Sequence, residues 1–125
     1  MADWKDITEE QLLAQLANGY HYISVACSLL PLPITLPSIE DGIALSDLVD
    51  SVAHTAQISD ELPMIPERVV ASLFTSCTQW LAGTHMFATF MADPKEYKLD
   101  CFAMCIVSSR ESLTEAIDWL ADNQE

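Results

Sequence analysis

Residues 67–91 read ERVVASLFTSCTQWLAGTHMFATFM, and after Arg68 no formal charge appears until Asp93. An uncharged run of this length is either a membrane span or a helix that the rest of the chain covers. Ser72, Thr75, Ser76, Thr78, Gln79, Thr84 and His85 place more polar groups in it than a lone lipid-facing helix tolerates. Pro66 stands just before Glu67, where a helix start accepts proline. The stretch therefore predicts a central apolar helix over about 67–91, wrapped by others.

Upstream, Thr8-Glu9-Glu10-Gln11 has the form of a capping box. Leu12, Leu16, Tyr20, Ile23, Cys27 and Leu30 then recur at helical intervals of three and four, which predicts a helix over about 8–30. Asn18-Gly19 is the one place where a break, a cap or a hairpin turn competes with that helix. A second charge-free run, between Gln11 and Ile39, contains Pro31, Pro33 and Pro37. Those prolines break any span and predict an extended, polyproline-like link across the bundle surface. A further helix over about 44–57 groups Leu45, Leu48, Val49 and Val52.

Downstream, Asp93-Pro94-Lys95-Glu96 offers a capping carboxylate, a first-turn proline and a glutamate. Lys98 to Val107 carries strand-forming residues, but its length and the preceding cap decide for helix. Ser108-Ser109-Arg110-Glu111 reads as another start, opening a fifth helix over about 109–123. The expected architecture is all-α: a compact bundle of about five helices with a central apolar helix and a Pro-rich link after the first, forming a single helical domain over 1–125. No internal repeat is visible.

The chain carries 19 acidic and 5 basic side chains, a formal charge of −14, while 50% of its residues are hydrophobic. The hydrophobic fraction supports a folded core, and a field of that sign repels nucleic acid and anionic membrane. A basic protein or nucleoprotein complex is the partner that such a charge selects. Met1-Ala2-Asp3-Trp4-Lys5-Asp6 has neither a basic n-region nor an apolar h-region, so a cytoplasmic location is expected. Cys27, Cys77, Cys101 and Cys105 sit in apolar segments and read as free thiols. Cys101 and Cys105 on one helix stand roughly 6 Å apart at Cβ, beyond bridging distance.

Asp47, Asp50 and His54 share one helical face and form the best metal candidate, but helical metal sites draw matching ligands from a facing helix. The long uncharged helix offers only His85, so a solvated acidic face is the simpler reading. A zinc site needs a second ligand pair beside Cys101 and Cys105, and the sequence has none. No serine stands in a Gly-x-Ser-x-Gly elbow, and Gly19, Gly42 and Gly83 build no phosphate loop. The expectation is a non-catalytic protein without metal or cofactor.

The final helix is more informative. Glu111, Glu115, Asp118 and Asp122 recur at helical intervals along one stripe, with Leu113, Ile117 and Leu120 on the core side. The ridge places one charge per ~4–6 Å of axis, of the same order as the charge spacing along a nucleic-acid strand. Trp119 is expected to project beside the ridge as an interface anchor, with Trp4 as a second. Asp47 and Asp50, with Glu40, Asp41, Asp60 and Glu61, are candidates to extend the negative surface. A plain solubilising surface is the competing account of the stripe.

The leading expectation is a stoichiometric inhibitor that occupies a basic nucleic-acid-binding surface. Phage counter-defence proteins, such as anti-CRISPR or anti-restriction factors, and toxin immunity proteins belong to that class. An assembly or secretion chaperone and a small metal-dependent helical enzyme are the alternatives. A homodimer joined through the uncharged runs is a further candidate assembly.

Overall fold

A computed structural model of the chain describes residues 4–30, 36–37, 45–58 and 65–123. Among these residues there are four α-helices, α1 (Glu9–Ser28), α2 (Leu45–Ile58), α3 (Glu67–Ala92) and α4 (Glu96–Asp122), preceded by a 3-10 turn at Trp4–Asp6, and there is no strand. The described residues confirm the all-α class and correct the number of helices from five to four. Most of the Pro-rich link, and Glu40, Asp41, Asp60 and Glu61 with it, lie outside the described residues.

The α1 helix begins as its capping box predicts. Gln11 N–H donates to Thr8 Oγ1 at 3.2 Å, and Thr8 N–H donates to Gln11 Oε1 at 2.9 Å. Leu12, Leu16, Tyr20, Ile23 and Cys27 are buried on one face. The helix passes through Asn18-Gly19 without a break. Gly19 serves packing instead: a Cβ there would lie 3.0 Å from Trp80 Cδ1. The indole of Trp80 is fully buried and donates from Nε1 to the Leu16 carbonyl at 2.9 Å. Tyr20 lies beside it, tilted by 48° with ring centres 5.8 Å apart, and its hydroxyl donates to the Pro37 carbonyl. That bond holds Pro37 against the bundle, next to the buried Leu36.

The α3 helix packs against all three other helices, but it is not wrapped by them. Val69, Leu73, Ser76, Cys77, Trp80, Gly83, Thr84, Phe87 and Phe90 form its buried stripe. Ala71, Phe74, Thr75, Ala82, His85 and Ala88 are exposed. The absence of charge on α3 thus covers a solvent-facing side as well as a core side, which corrects the expectation of a helix enclosed all round.

The α3–α4 hairpin is the main packing unit. Gly83 permits a close crossing: a Cβ there would meet Ile106 Cδ1 at 2.9 Å. Ser76 Oγ donates to the Ser109 carbonyl at 2.7 Å, and Ser109 Oγ returns a bond to the Ser76 carbonyl at 2.9 Å. This buried clasp explains why Ser108-Ser109 starts no helix. The Ser109 hydroxyl serves the neighbouring helix, and α4 runs through as one helix, about 40 Å long at 1.5 Å per residue.

The turn between the two helices also departs from expectation. Asp93 closes α3 through its N–H to the Thr89 carbonyl, and Lys95 is the residue that precedes α4, without a side-chain cap. Lys98 explains the difference. Its Nζ donates to the Thr89 carbonyl at 3.2 Å and the Asp93 carbonyl at 2.9 Å, and lies 3.4 Å from the Asp93 carboxylate. A cation on those last carbonyls stabilises the C-terminus of α3 and takes the carboxylate away from a capping role.

Candidate interaction surface on the last helix

The C-terminal half of α4 buries Ser109, Leu113, Ala116 and Leu120, so the opposite side of the helix faces solvent. Glu111, Glu115, Asp118 and Asp122 all lie on that exposed side, along one stripe. Arg68 of α3 pairs with Glu115, Nε to Oε1 at 3.1 Å, with both side chains more than half exposed. Among the described residues no ion pair involves Glu111, Asp118 or Asp122. Three of the ridge carboxylates therefore present unneutralised charge to solvent.

A groove runs along each flank of the ridge. One, of ≈ 500 Å³, lies between α1 and α4 and is lined by Tyr22, Val107, Arg110, Thr114 and Ile117 beside Glu111 and Asp118. Tyr22 and Val107 are 36% and 50% exposed, large for apolar or aromatic groups beside so much charge. The Arg110 guanidinium stacks over the Tyr22 ring at 4.8 Å and orients it. The other groove, of ≈ 540 Å³, is shared by Arg68, Trp119, Glu115, Asp118 and Asp122.

Trp119 does not project freely beside the ridge. It is half-buried and packs against the core, so it offers one edge to the second groove. Trp4 is likewise partly buried and meets Phe90 edge-on at 6.3 Å. Both positions sit at the border of the buried face, where the neighbouring helix decides their exposure. Tyr22 and Val107 are the exposed groups at the ridge that sequence reasoning missed, because nothing in a linear pattern places α1 beside α4.

Asp47 and Asp50 are exposed on α2, but the two grooves at the ridge are lined only by residues of α1, α3 and α4. The described structure does not bring the α2 carboxylates to the ridge. Nor do Asp47, Asp50 and His54 form a metal site, because among the described residues no three His, Cys, Asp or Glu side chains are grouped to hold a metal ion.

All four cysteines are free thiols. Burial pushes the Cys27 thiol up to about 11, against the opposing effect of its hydrogen bond with Thr55. Burial, followed by the proximity of Cys27, pushes Cys77 up to about 12. Neither thiol is a nucleophile at neutral pH. Cys105 is raised by partial burial and then by the neighbouring Cys101. No described helix is long and apolar enough to cross a membrane.

No family model, curated protein or solved structure matches this chain.

Proposed function

We propose that this chain is a small, non-catalytic binding protein that uses the α4 ridge to occupy a basic, nucleic-acid-binding surface on another protein. It acts as a stoichiometric inhibitor in a cytoplasmic setting, of the kind represented by phage counter-defence proteins such as anti-CRISPR and anti-restriction factors, or by immunity proteins of nuclease toxins. The observation that carries the reading is Glu111, Asp118 and Asp122 on one helical stripe, exposed and, among the described residues, without ion pairs. Carboxylates in a row address the Lys and Arg side chains that otherwise grip phosphates. The net charge of −14 steers such a target toward the protein, and Tyr22 and Val107 supply apolar contact once the two meet.

An assembly or secretion chaperone is the second reading, favoured by the same exposed Tyr22 and Val107 in their groove. It differs in salt dependence, since apolar docking resists salt and ridge docking does not.

The test uses the tagged protein as bait in lysate of its native host at about 50 and about 500 mM salt, which bracket the screening of exposed charges. A parallel bait carries Glu111→Gln, Asp118→Asn and Asp122→Asn. The proposal expects a basic nucleic-acid-binding protein that is held at low salt, released at high salt and missing from the variant bait. Its nucleic-acid binding should then be lost on titration with the wild-type chain. Equal capture by both baits, or retention at both salt concentrations, overturns the ridge reading, and the second pattern supports the chaperone.

A further inference from the structure

Sulfur is distributed in two environments on this chain. Cys27 and Cys77 are fully buried, as free cysteines mostly are. In the first half of α4, by contrast, Cys101 is exposed, Cys105 is half-buried and Met104 is 67% exposed. All three belong to the segment Cys101-Phe102-Ala103-Met104-Cys105. At helical spacings of three and four their side chains share a sector of about 100° on one side of the helix. Phe102 and Ile106 supply the buried contacts of this segment, so core packing does not account for the sulfur.

We propose that Cys101, Met104 and Cys105 form a binding site for copper(I), with two thiolates and one thioether as ligands. Spacing selects a bridging ion over a disulfide. Neighbours at i, i+4 stand roughly 6 Å apart at Cβ, too far for a sulfur–sulfur bond. Two metal–sulfur bonds of about 2.3 Å place the sulfurs ~4–4.6 Å apart instead, within reach of both side chains. Ligand number selects the metal. Zinc asks for four ligands, and among the described residues no other His, Cys, Asp or Glu joins the pair. Copper(I) takes two or three soft ligands, and thiolates with a thioether are the donors it prefers. Cys105 abuts α3 at Gly83, where a Cβ would lie 3.5 Å from the Cys105 Cβ, so packing fixes one ligand. Cys101 and Met104 face solvent, and rotation of their side chains closes the site without moving the backbone. The Cys105 thiol is raised by partial burial and then by Cys101, in keeping with two neighbouring sulfurs. Binding displaces one proton from each thiol to solvent and leaves copper and sulfur in their oxidation states. The charge of −14 favours the approach of any cation.

Anaerobic titration of the reduced full chain with copper(I), supplied as its acetonitrile complex in competition with a chromophoric copper(I) chelator, tests this. The expected result is one tightly held copper per chain, with Cys101 and Cys105 protected from a maleimide as read by mass spectrometry. Because the second thiolate binds intramolecularly, Cys101→Ser and Cys105→Ser should each weaken binding by ~100-fold or more, although each keeps one of the two thiols. Met104→Leu removes the weaker thioether and should weaken it by about tenfold. Cys101 and Met104 are exposed, so these variants should keep the helical circular dichroism of wild type, and their loss of copper is not loss of fold. The ridge variant E111Q/D118N/D122N should hold copper within a few-fold of wild type, which separates this site from the function of the ridge. Copper that protects neither thiol overturns the proposal. So does an affinity that is unchanged in Cys101→Ser or in Met104→Leu, or one that the ridge variant abolishes.

Discussion

Replacing Gly19 with alanine tests how closely α1 is set on α3. In an exposed helix interior the change stabilises by up to ~1 kcal/mol, because alanine loses less backbone entropy on folding. Here the added methyl would stand 3.0 Å from Trp80 Cδ1 and 3.4 Å from its Nε1. The ring cannot easily move away, because it is buried and its Nε1 is bonded to the Leu16 carbonyl one turn earlier on the same helix. Inserting a methyl against a rigid group in a packed core costs ~1–3 kcal/mol. Subtracting the propensity gain leaves an expected net loss of ~1 kcal/mol, or a melting temperature lower by ~4 °C for a chain of this size. Gly83 provides the contrast within the same protein. Its methyl would meet the end of the Ile106 side chain, which can change rotamer, so Gly83→Ala should be neutral to within ~0.5 kcal/mol. Urea denaturation of both variants, and of Gly19→Ala in a Trp80→Phe background, measures the difference. In that background the smaller ring should return Gly19→Ala to a stabilising substitution, giving a coupling of ~1–2 kcal/mol. If Gly19→Ala stabilises the wild-type chain by the full propensity term, α1 does not pack on Trp80 as described and the core argument fails.

Ser109→Ala removes one donor of the buried clasp and should cost ~1 kcal/mol by thermal or urea melting; the double variant with Ser76→Ala should lose less than the sum of the singles, since each hydroxyl serves the other helix. For the thiols, a disulfide reagent at neutral pH should label Cys101 fastest and Cys105 more slowly, leaving Cys27 and Cys77 unreacted until the chain unfolds. Because burial holds Cys27 near about 11 and Cys77 near about 12, the unfolded chain loses those protons first as the pH rises. The stability they contribute is complete below the ordinary thiol range and should fall from about pH 8.5 toward 11–12, at up to ~1.4 kcal/mol per pH unit for each thiol. A melting temperature that stays flat from pH 8 to 10.5 would show that the two thiols are not buried together.

The helices were legible where local chemistry and apolar spacing agree. The Thr8–Gln11 box and the stripe from Leu12 to Cys27 needed no tertiary information, since i, i+3 and i, i+4 neighbours are fixed by helical geometry. The readings that failed depend on a partner element. Ser109 can cap a helix or bond a neighbour, and only the position of Ser76 decides which. Asp93 resembles a cap until Lys98 is seen to hold it. At Gly19 the continuous helix held over the alternative of a break, and Trp80 against it shows what the glycine serves. The ridge carboxylates were legible because α4 buries Leu113 and Leu120 opposite to them. Tyr22 and Val107 were not, because their groove exists only where two helices distant in sequence meet.

Continuity of α4 changes the argument about function. As two helices, an apolar segment at 98–107 would be core and an acidic one at 109–123 surface, each with its own orientation. As one rigid helix, the same exposed side passes from Tyr97 and Met104 to Glu111, Asp118 and Asp122 without a hinge. Capture of a basic surface needs carboxylates concentrated on that side, and Glu111, Asp118 and Asp122 supply them in its second half. Added salt should therefore loosen contact through that half. A target complex that salt does not loosen would mean that the ridge has been assigned to the wrong partner.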